Sequence, residues 1–195
     1  MKDQLRPALL SLLLLTLLTG VAYPLIATVI AQAAFPWQAD GSLLLNSERT
    51  VGSALIGQSF ESARYFWSRP SATAPAPYNA AASSGSNFGP LNPALREAVV
   101  ARAAALRALD PTNVEPIPID LVTASASGLD PDISPAAAEW QMARIARARS
   151  VSLDSVRSCL DSCRHGRQFG ILGEPRVNVL CANLALDRLV LGTPR

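Results

Sequence analysis

Lysine and histidine are almost missing from this chain: Lys2 is the only lysine and His165 the only histidine. Outside the N-terminal tail a Ser-Lys dyad is therefore excluded, and any imidazole role falls on a single residue. Arginine carries the positive charge instead. From Pro36 onward fifteen arginines stand against fourteen Asp and Glu, a balance close to neutral. A nucleic-acid binder would show a clustered basic face, and none is present. Charge is also missing locally: between Arg6 and Asp40 no side chain is ionisable as an acid or a base except Tyr23.

That uncharged stretch organises the chain. Residues 8–34 form an apolar run that, as a helix rising about 1.5 Å per residue, reaches roughly 40 Å, against about 30 Å of hydrocarbon in a bilayer. A helix satisfies its own backbone in lipid, so the run predicts one transmembrane span. Lys2, Arg6 and the amino terminus outweigh Asp3 on one flank, while Phe35, Trp37, Asp40 and Glu48 lie on the other. Basic charge stays inside and Trp prefers the headgroup level, so residues 1–7 read as a cytoplasmic tail and 35–195 as an external domain. A cleaved signal peptide is the competing reading, with Ala31-Gln32-Ala33 as its cleavage site. However, the apolar run from Leu9 to Ile30 is well beyond the roughly 7–15 residues of such a core.

Within the span, Thr16, Gly20, Ala27 and Ala31 gather small side chains on one stripe, the pattern that lets two helices approach in lipid. Pro24 removes a hydrogen bond to residue 20 and predicts a kink. If the external domain is outside the cytoplasm, Cys159, Cys163 and Cys181 lie in an oxidising compartment. Cys159 and Cys163, four apart on an expected helix, share a face but not a bridging geometry. Cys159, Cys163 and His165 lack the second pair that a metal site needs, so the cysteines read as small apolar fillers with one free thiol.

The roughly 160 external residues suffice for one domain with a core. Ser42–Leu45, Ala54–Ile56, Tyr65–Trp67 and Ile117–Ala124 read as short strands. Helices are expected from Asn92 and Pro93 to Leu109, from Ser134 and Pro135 to Arg149, from Ser152 to Cys163, and from Asn178 to Leu191. On the first of these, Leu95, Val99, Ala103 and Leu106 mark the buried stripe, with Arg96, Arg102 and Arg107 facing water. The fold class is thus a single transmembrane helix plus one external α+β domain of three to four helices and a small sheet. Residues 70–92 are rich in Pro, Gly, Ser and Asn and form a long loop, of the length that is either functional or a linker. Ser86 and Asn87 in this loop, and Ser125, Ser127 and Asp130 further on, are the candidate partner-contact residues.

Ser125, Ser127, Asp130 and His165 invite a hydrolase reading. A nucleophile elbow needs Gly-x-Ser-x-Gly, and Ala124-Ser125-Ala126-Ser127-Gly128 lacks its first glycine in that frame. These side chains read better as ties for a tight connection. Gly85–Asn87 offers backbone N–H groups but no phosphate-loop lysine. No catalytic set, metal site or directly bound cofactor follows from the motifs.

Whole segments nevertheless have a familiar order: Arg69-Pro70-Ser71-Ala72, Tyr78-Asn79-Ala80, Ser83 to Pro90, Thr123 to Pro131, and Gly173 to Leu180. Together they resemble the C subunits of the Kdp potassium-transporting ATPases, along the span and nearly all of the external domain. The departures are Ser84, where glycine is expected, and residues 157–169 around the cysteine pair. The resemblance implies a single-pass inner-membrane subunit of a high-affinity importer. One partner there carries the potassium pathway and another hydrolyses ATP, so ATP and potassium are handled by the complex. It further implies a chaperone-like, non-catalytic role that supports assembly and raises the hydrolytic subunit's affinity for ATP. An external position for both serine-rich motifs argues for an indirect influence on ATP binding. A membrane-anchored hydrolase and a tethered binding module are the alternatives.

Overall fold

The computed structural model of the chain describes residues 2–46 and 49–191; Glu48, one of the flank charges, lies outside them. The chain forms two compact units, residues 1–53 and 54–195.

The first unit begins with the apolar helix. Helix α1 (Lys2–Leu17) passes through a π-helical turn, Leu18–Ala22, into α2 (Tyr23–Ala34). Pro24 has no N–H to offer Gly20, and the turn just before it absorbs the missing bond by letting the Tyr23 N–H reach the Leu18 carbonyl. The segment Gln4–Ala34 is long and apolar enough to cross a membrane. A short helix α3 (Pro36–Ala39) follows, then an antiparallel hairpin of β1 (Leu43–Asn46) and β2 (Arg49–Ser53), with Leu43 opposite Ser53. The Trp37 indole N–H donates to the Leu43 carbonyl at 3.1 Å, and Gln32 Nε2 donates to Asp40 Oδ1 at 3.0 Å, which fixes the exit from the helix.

The second unit carries the core. Helix α4 (Pro93–Leu109) starts where Asn92 Oδ1 accepts the Ala94 N–H and Pro93 supplies a first-turn residue that needs no donor. Helices α5 (Pro135–Arg149) and α6 (Leu153–Ser162) are capped in the same way by Ser134 and Ser152. Strand β3 (Asp132–Ile133) precedes α5, and β4 (Arg164–His165) follows α6. The chain closes with β5 (Arg176–Asn178) and α7 (Val179–Leu191). The three strands form one antiparallel sheet in the order β3-β5-β4. Ile145, Val156, Leu160, Val177, Val179 and Leu186 are fully enclosed at the centre. A single N-terminal apolar helix followed by helices and a small sheet is thus the architecture of the chain.

Five expectations need correction, two of them strands taken up below. Ile117–Ala124 is not a strand; it holds a 3-10 turn, Ile119–Leu121. Pro116 and Pro118 remove two alternate N–H donors, so a ladder has nothing to bond there. On α4 only Arg96 faces water: Arg102 donates to the Val122 carbonyl at 2.9 Å, and Arg107 donates to Asn113 and Glu115 carbonyls with its guanidinium 5.8 Å from the Trp140 ring. The cysteines are not all fillers: Cys163 and Cys181 form a disulfide that ties the end of α6 to α7, leaving Cys159 as a buried thiol.

The strands expected at Ala54–Ile56 and Tyr65–Trp67 are absent as well, and the second case has an instructive cause. The segment Ala63–Trp67, which opens in a turn closed by the Tyr65 N–H on the Ser62 carbonyl, has no strand partner among the described residues; side chains from two helices bond its backbone instead. Asn183 accepts the Phe66 N–H at 2.8 Å and donates to the Phe66 carbonyl at 3.0 Å. Gln141, fully buried, does the same for Trp67 at 2.8 and 3.2 Å. Arg144 donates to the Ala63 and Tyr65 carbonyls, and Arg149 to the Arg64 carbonyl. Burial lowers the Arg144 guanidinium to about 10. Asp187 pairs with Arg149 at 2.8 Å and accepts the Tyr65 hydroxyl at 3.0 Å.

Asn183→Leu keeps the volume of the side chain but strands two buried backbone groups, each of which costs about 1–3 kcal/mol without a partner. The expected loss is about 2–4 kcal/mol, measured by chemical denaturation of the detergent-solubilised full-length chain. A change within a few tenths of a kcal/mol would contradict the clamp.

Candidate functional site

Directly after the clamped segment, Ser68 leads into the long loop, and the loop folds against the connection that precedes α5. The sequence places Ser71, Thr73 and Tyr78 close enough to tie the loop to itself. Ser71 Oγ donates to the Gly128 carbonyl at 2.7 Å and accepts the Tyr78 N–H at 2.9 Å. Thr73 Oγ1 donates to the Ala76 carbonyl at 2.7 Å and accepts the Asn79 N–H at 3.1 Å. The Tyr78 hydroxyl donates to the Arg69 carbonyl at 2.5 Å. Burial, with the nearby Asp130 charge, raises the Tyr78 phenol above its usual value against an opposing bond to Ser68, so it stays a donor.

Arg69 crosses to the second loop. Its Nη1 lies 3.1 Å from Asp130 Oδ2, a half-buried pair, and its Nη2 donates to the Ala124 carbonyl. Asp130 Oδ1 also accepts the Asp132 N–H at 3.0 Å. Asp132 in turn pairs with Arg176 Nε at 2.8 Å. Burial raises the Asp132 carboxyl, with the Asp130 charge adding to it, against the opposing pull of Arg176.

The two serine-rich stretches meet at Ser127. Its carbonyl accepts both the Ser84 N–H and the Ser83 hydroxyl at 3.0 Å. Gly128 is required at this crossing: it takes φ +68°, and an added Cβ would sit 2.6 Å from Thr73 Cγ2 and 2.7 Å from the Ser84 carbonyl oxygen. Gly85 is equally tight, with an added Cβ falling 2.7 Å from the Ala126 carbonyl oxygen. Beyond this contact the first loop turns outward. Ser86 is half-buried; Asn87 is exposed with φ +51°, a conformation asparagine tolerates better than most residues.

Of the five candidate loop residues, the structure brings Ser125, Ser127 and Asp130 into one connection and sets Ser86 and Asn87 on the loop bonded to it. Ser125 is buried, with its N–H on the Pro70 carbonyl; Ser127 is exposed, with its hydroxyl accepting the Leu129 N–H. His165 sits in β4 opposite Arg176, and among the described residues no hydrogen bond joins it to either serine or to Asp130. These groups hold backbone, not a nucleophile and base within reach of each other. Among the described residues no three His, Cys, Asp or Glu side chains are grouped to hold a metal ion.

The small-residue stripe belongs to the first unit. Thr16, Gly20 and Ala27 are exposed on the helix and Ala31 is half-buried. An added Cβ on Gly20 would come no closer than 4.0 Å to Thr16 Cγ2, so its own helix leaves that face open.

Reading the residues for chemistry overlooked Arg69, Ser71, Thr73 and Tyr78, which do most of the fastening. Their signal was present in the segments Arg69-Pro70-Ser71-Ala72 and Tyr78-Asn79-Ala80. Arg69 and Ser71 reach partners 61 and 57 residues downstream, whereas Thr73 and Tyr78 bond within the loop itself.

The family model described as KdpC: K+-transporting ATPase, c chain, matches residues 5–188. A Potassium-transporting ATPase KdpC subunit from Sorangium cellulosum is 62% identical over 187 residues, covering 96% of this chain and 98% of that protein. One from Methylibium petroleiphilum is 63% identical with the same coverage, and one from Herpetosiphon aurantiacus is 58% identical over 97% of this chain and 98% of its own. Helix, clamp and both loops fall inside the matched span, and the chain belongs to the c-chain family of the K+-transporting ATPases.

Proposed function

We propose that this chain is a single-pass, non-catalytic subunit of an ATP-driven potassium importer. It supports assembly and raises the ATP affinity of the hydrolytic subunit from a distance. The observation that carries the reading is the near-complete coverage by relatives named as a subunit of a potassium-transporting ATPase. The site's chemistry favours the same view, because its hydroxyls and carboxylates are engaged in holding two loops together. Partners are then the subunit that carries the potassium pathway, the subunit that hydrolyses ATP, and the surrounding bilayer. The inner membrane is the proposed location.

The N-terminus is cytoplasmic and the 54–195 unit periplasmic in this reading, which rests on Arg6 and Lys2 against the Phe35 and Trp37 flank. A periplasmic domain cannot meet cytoplasmic ATP. Its effect on ATP affinity therefore travels through the assembled complex as a coupling between distant contacts. Contact is made at two places: the stripe Thr16, Gly20, Ala27 and Ala31 within the bilayer, and the loop that carries Ser86 and Asn87 on the fixed platform of Ser125, Ser127 and Asp130.

Asn87 separates a side-chain contact from a backbone requirement. If its amide bonds a partner, Asn87→Gly and Asn87→Ala both weaken assembly or transport, although glycine accepts the φ of +51° freely. The expected loss is about tenfold in retention of the chain by the complex, the equivalent of about 1.4 kcal/mol. Full retention by the glycine variant would reduce Asn87 to a turn residue, and Ala81→Ser serves as the neutral control.

In the span, Gly20→Leu adds apolar volume, so insertion is not hindered, but a close helix pair is forced apart. The variant should leave the complex during detergent purification while Leu13→Ala remains bound. Equal retention of the two would leave the helix as an anchor only.

A further inference from the structure

Residues 168–172 form a second exposed feature that the serine-rich loops do not account for. Gln168 and Leu172 bridge in antiparallel register, each N–H on the other's carbonyl at 2.9 Å. Two more bonds close the tip, Gly170 N–H to the Arg167 carbonyl and Ile171 N–H to the Gln168 carbonyl. The turn is held by Phe169 at φ +53° and Gly170 at φ +77°. Four backbone bonds within so few residues fix one shape.

The shape displays apolar side chains to solvent. Phe169 is 92% exposed, Ile171 76% and Leu172 54%, on the same short turn. Among the described residues they belong neither to the core cluster nor to the partly buried side chains packed on it. A large aromatic at positive φ is costly to place, and a fold that needed only a turn would take Gly, Asn or Asp at position 169.

Of the three arginines nearest the tip, Arg167 and Arg176 are paired, and Arg164, exposed on β4, has no ion pair among the described residues. Both oxygens of Glu174 lie within 2.9 Å of Arg167 Nη2, and Arg176 is held by Asp132. A surface built for anionic lipid headgroups would offer several free cations around its apolar wedge. Here the collar is mostly neutralised, which fits an uncharged, apolar cleft in a protein. Preorganisation points the same way: a backbone fixed in advance beneath three apolar side chains lowers the ordering cost of entering a shaped pocket. Three residues are too few for the roughly 800 Å² per partner of a whole interface, but they suit an anchor inside a larger one.

We propose that the 168–172 hairpin is an apolar anchor, with Phe169 at its tip, that inserts into an uncharged cleft on another subunit of the same transporter. The inference rests on the reading of this chain as a transporter subunit.

The test uses the full chain made together with the other subunits, with a benzophenone amino acid in place of Phe169. After irradiation in native membranes the adduct is identified by mass. The expected product is a covalent link from position 169 to another subunit's polypeptide. A lipid adduct would make the hairpin a membrane wedge, and no adduct would make it free; either overturns the proposal. In parallel, Phe169→Asn keeps a residue suited to positive φ while removing the apolar tip. Its retention in the purified complex should fall about tenfold and stay the same between low and high salt, since no charge pair is lost. Wild-type retention by the variant overturns the anchor while leaving the subunit reading intact. Failure of the unmodified chain to co-purify with the other subunits would defeat both.

Discussion

The constraint on which the second unit depends is the need to satisfy the backbone of Ala63–Trp67 where no strand is available to do it. Phe66 is almost fully buried, so its N–H and carbonyl cannot turn to water. Primary amides solve this because each carries a donor and an acceptor with the spacing of a peptide group. Asn183 on α7 and Gln141 on α5 act as substitute strand residues, and two guanidiniums from α5 take the remaining carbonyls. Both helices therefore hold this segment, and Arg149 on α5 also reaches α7 through the Leu186 carbonyl and Asp187.

The candidate site inherits its position from that clamp. Trp67 is followed within two residues by Arg69, whose guanidinium pairs with Asp130, and α5, which carries Gln141, begins only a few residues past Asp130. Both loops thus leave from ends that the same helix holds. Ser71 and Ser127 then complete the fastening through backbone carbonyls, which is why the serine-rich motifs contain hydroxyls without forming a catalytic set. What remains free is the outer part of the loop around Asn87, presented on a fixed base.

The helices were legible because their ends are written locally: Asn92-Pro93, Ser134-Pro135 and Ser152 name their own starts, and the structure uses each as a cap. The apolar helix was legible from its length alone. The strands were not, because alternation says only that a segment is extended and half-buried. It cannot say whether a strand or an amide side chain 74 or 117 residues away will bond it. Pro116 and Pro118 did carry a warning against a strand at 117–124 that the alternation obscured. The disulfide was hidden for a different reason: three cysteines leave the pairing open, and Cys159 and Cys163 drew attention as neighbours while Cys181 was the partner. At the site, the five candidate residues could be named from composition, but the fastening of one loop to the other by Arg69 and Ser71 depends on contacts 55 to 61 residues apart in sequence.

The central claim is that a side-chain clamp holds Ala63–Trp67 and, through it, the base of the contact loop. Amide hydrogen exchange on the full-length chain tests it most directly. The amides of Phe66, Trp67 and Ser84 should exchange slowly, on the scale of the α5 interior, while those of Asn87 and Leu91 exchange rapidly. Rapid exchange at Phe66 and Trp67, or at Ser84 to the same extent as Asn87, would contradict the account.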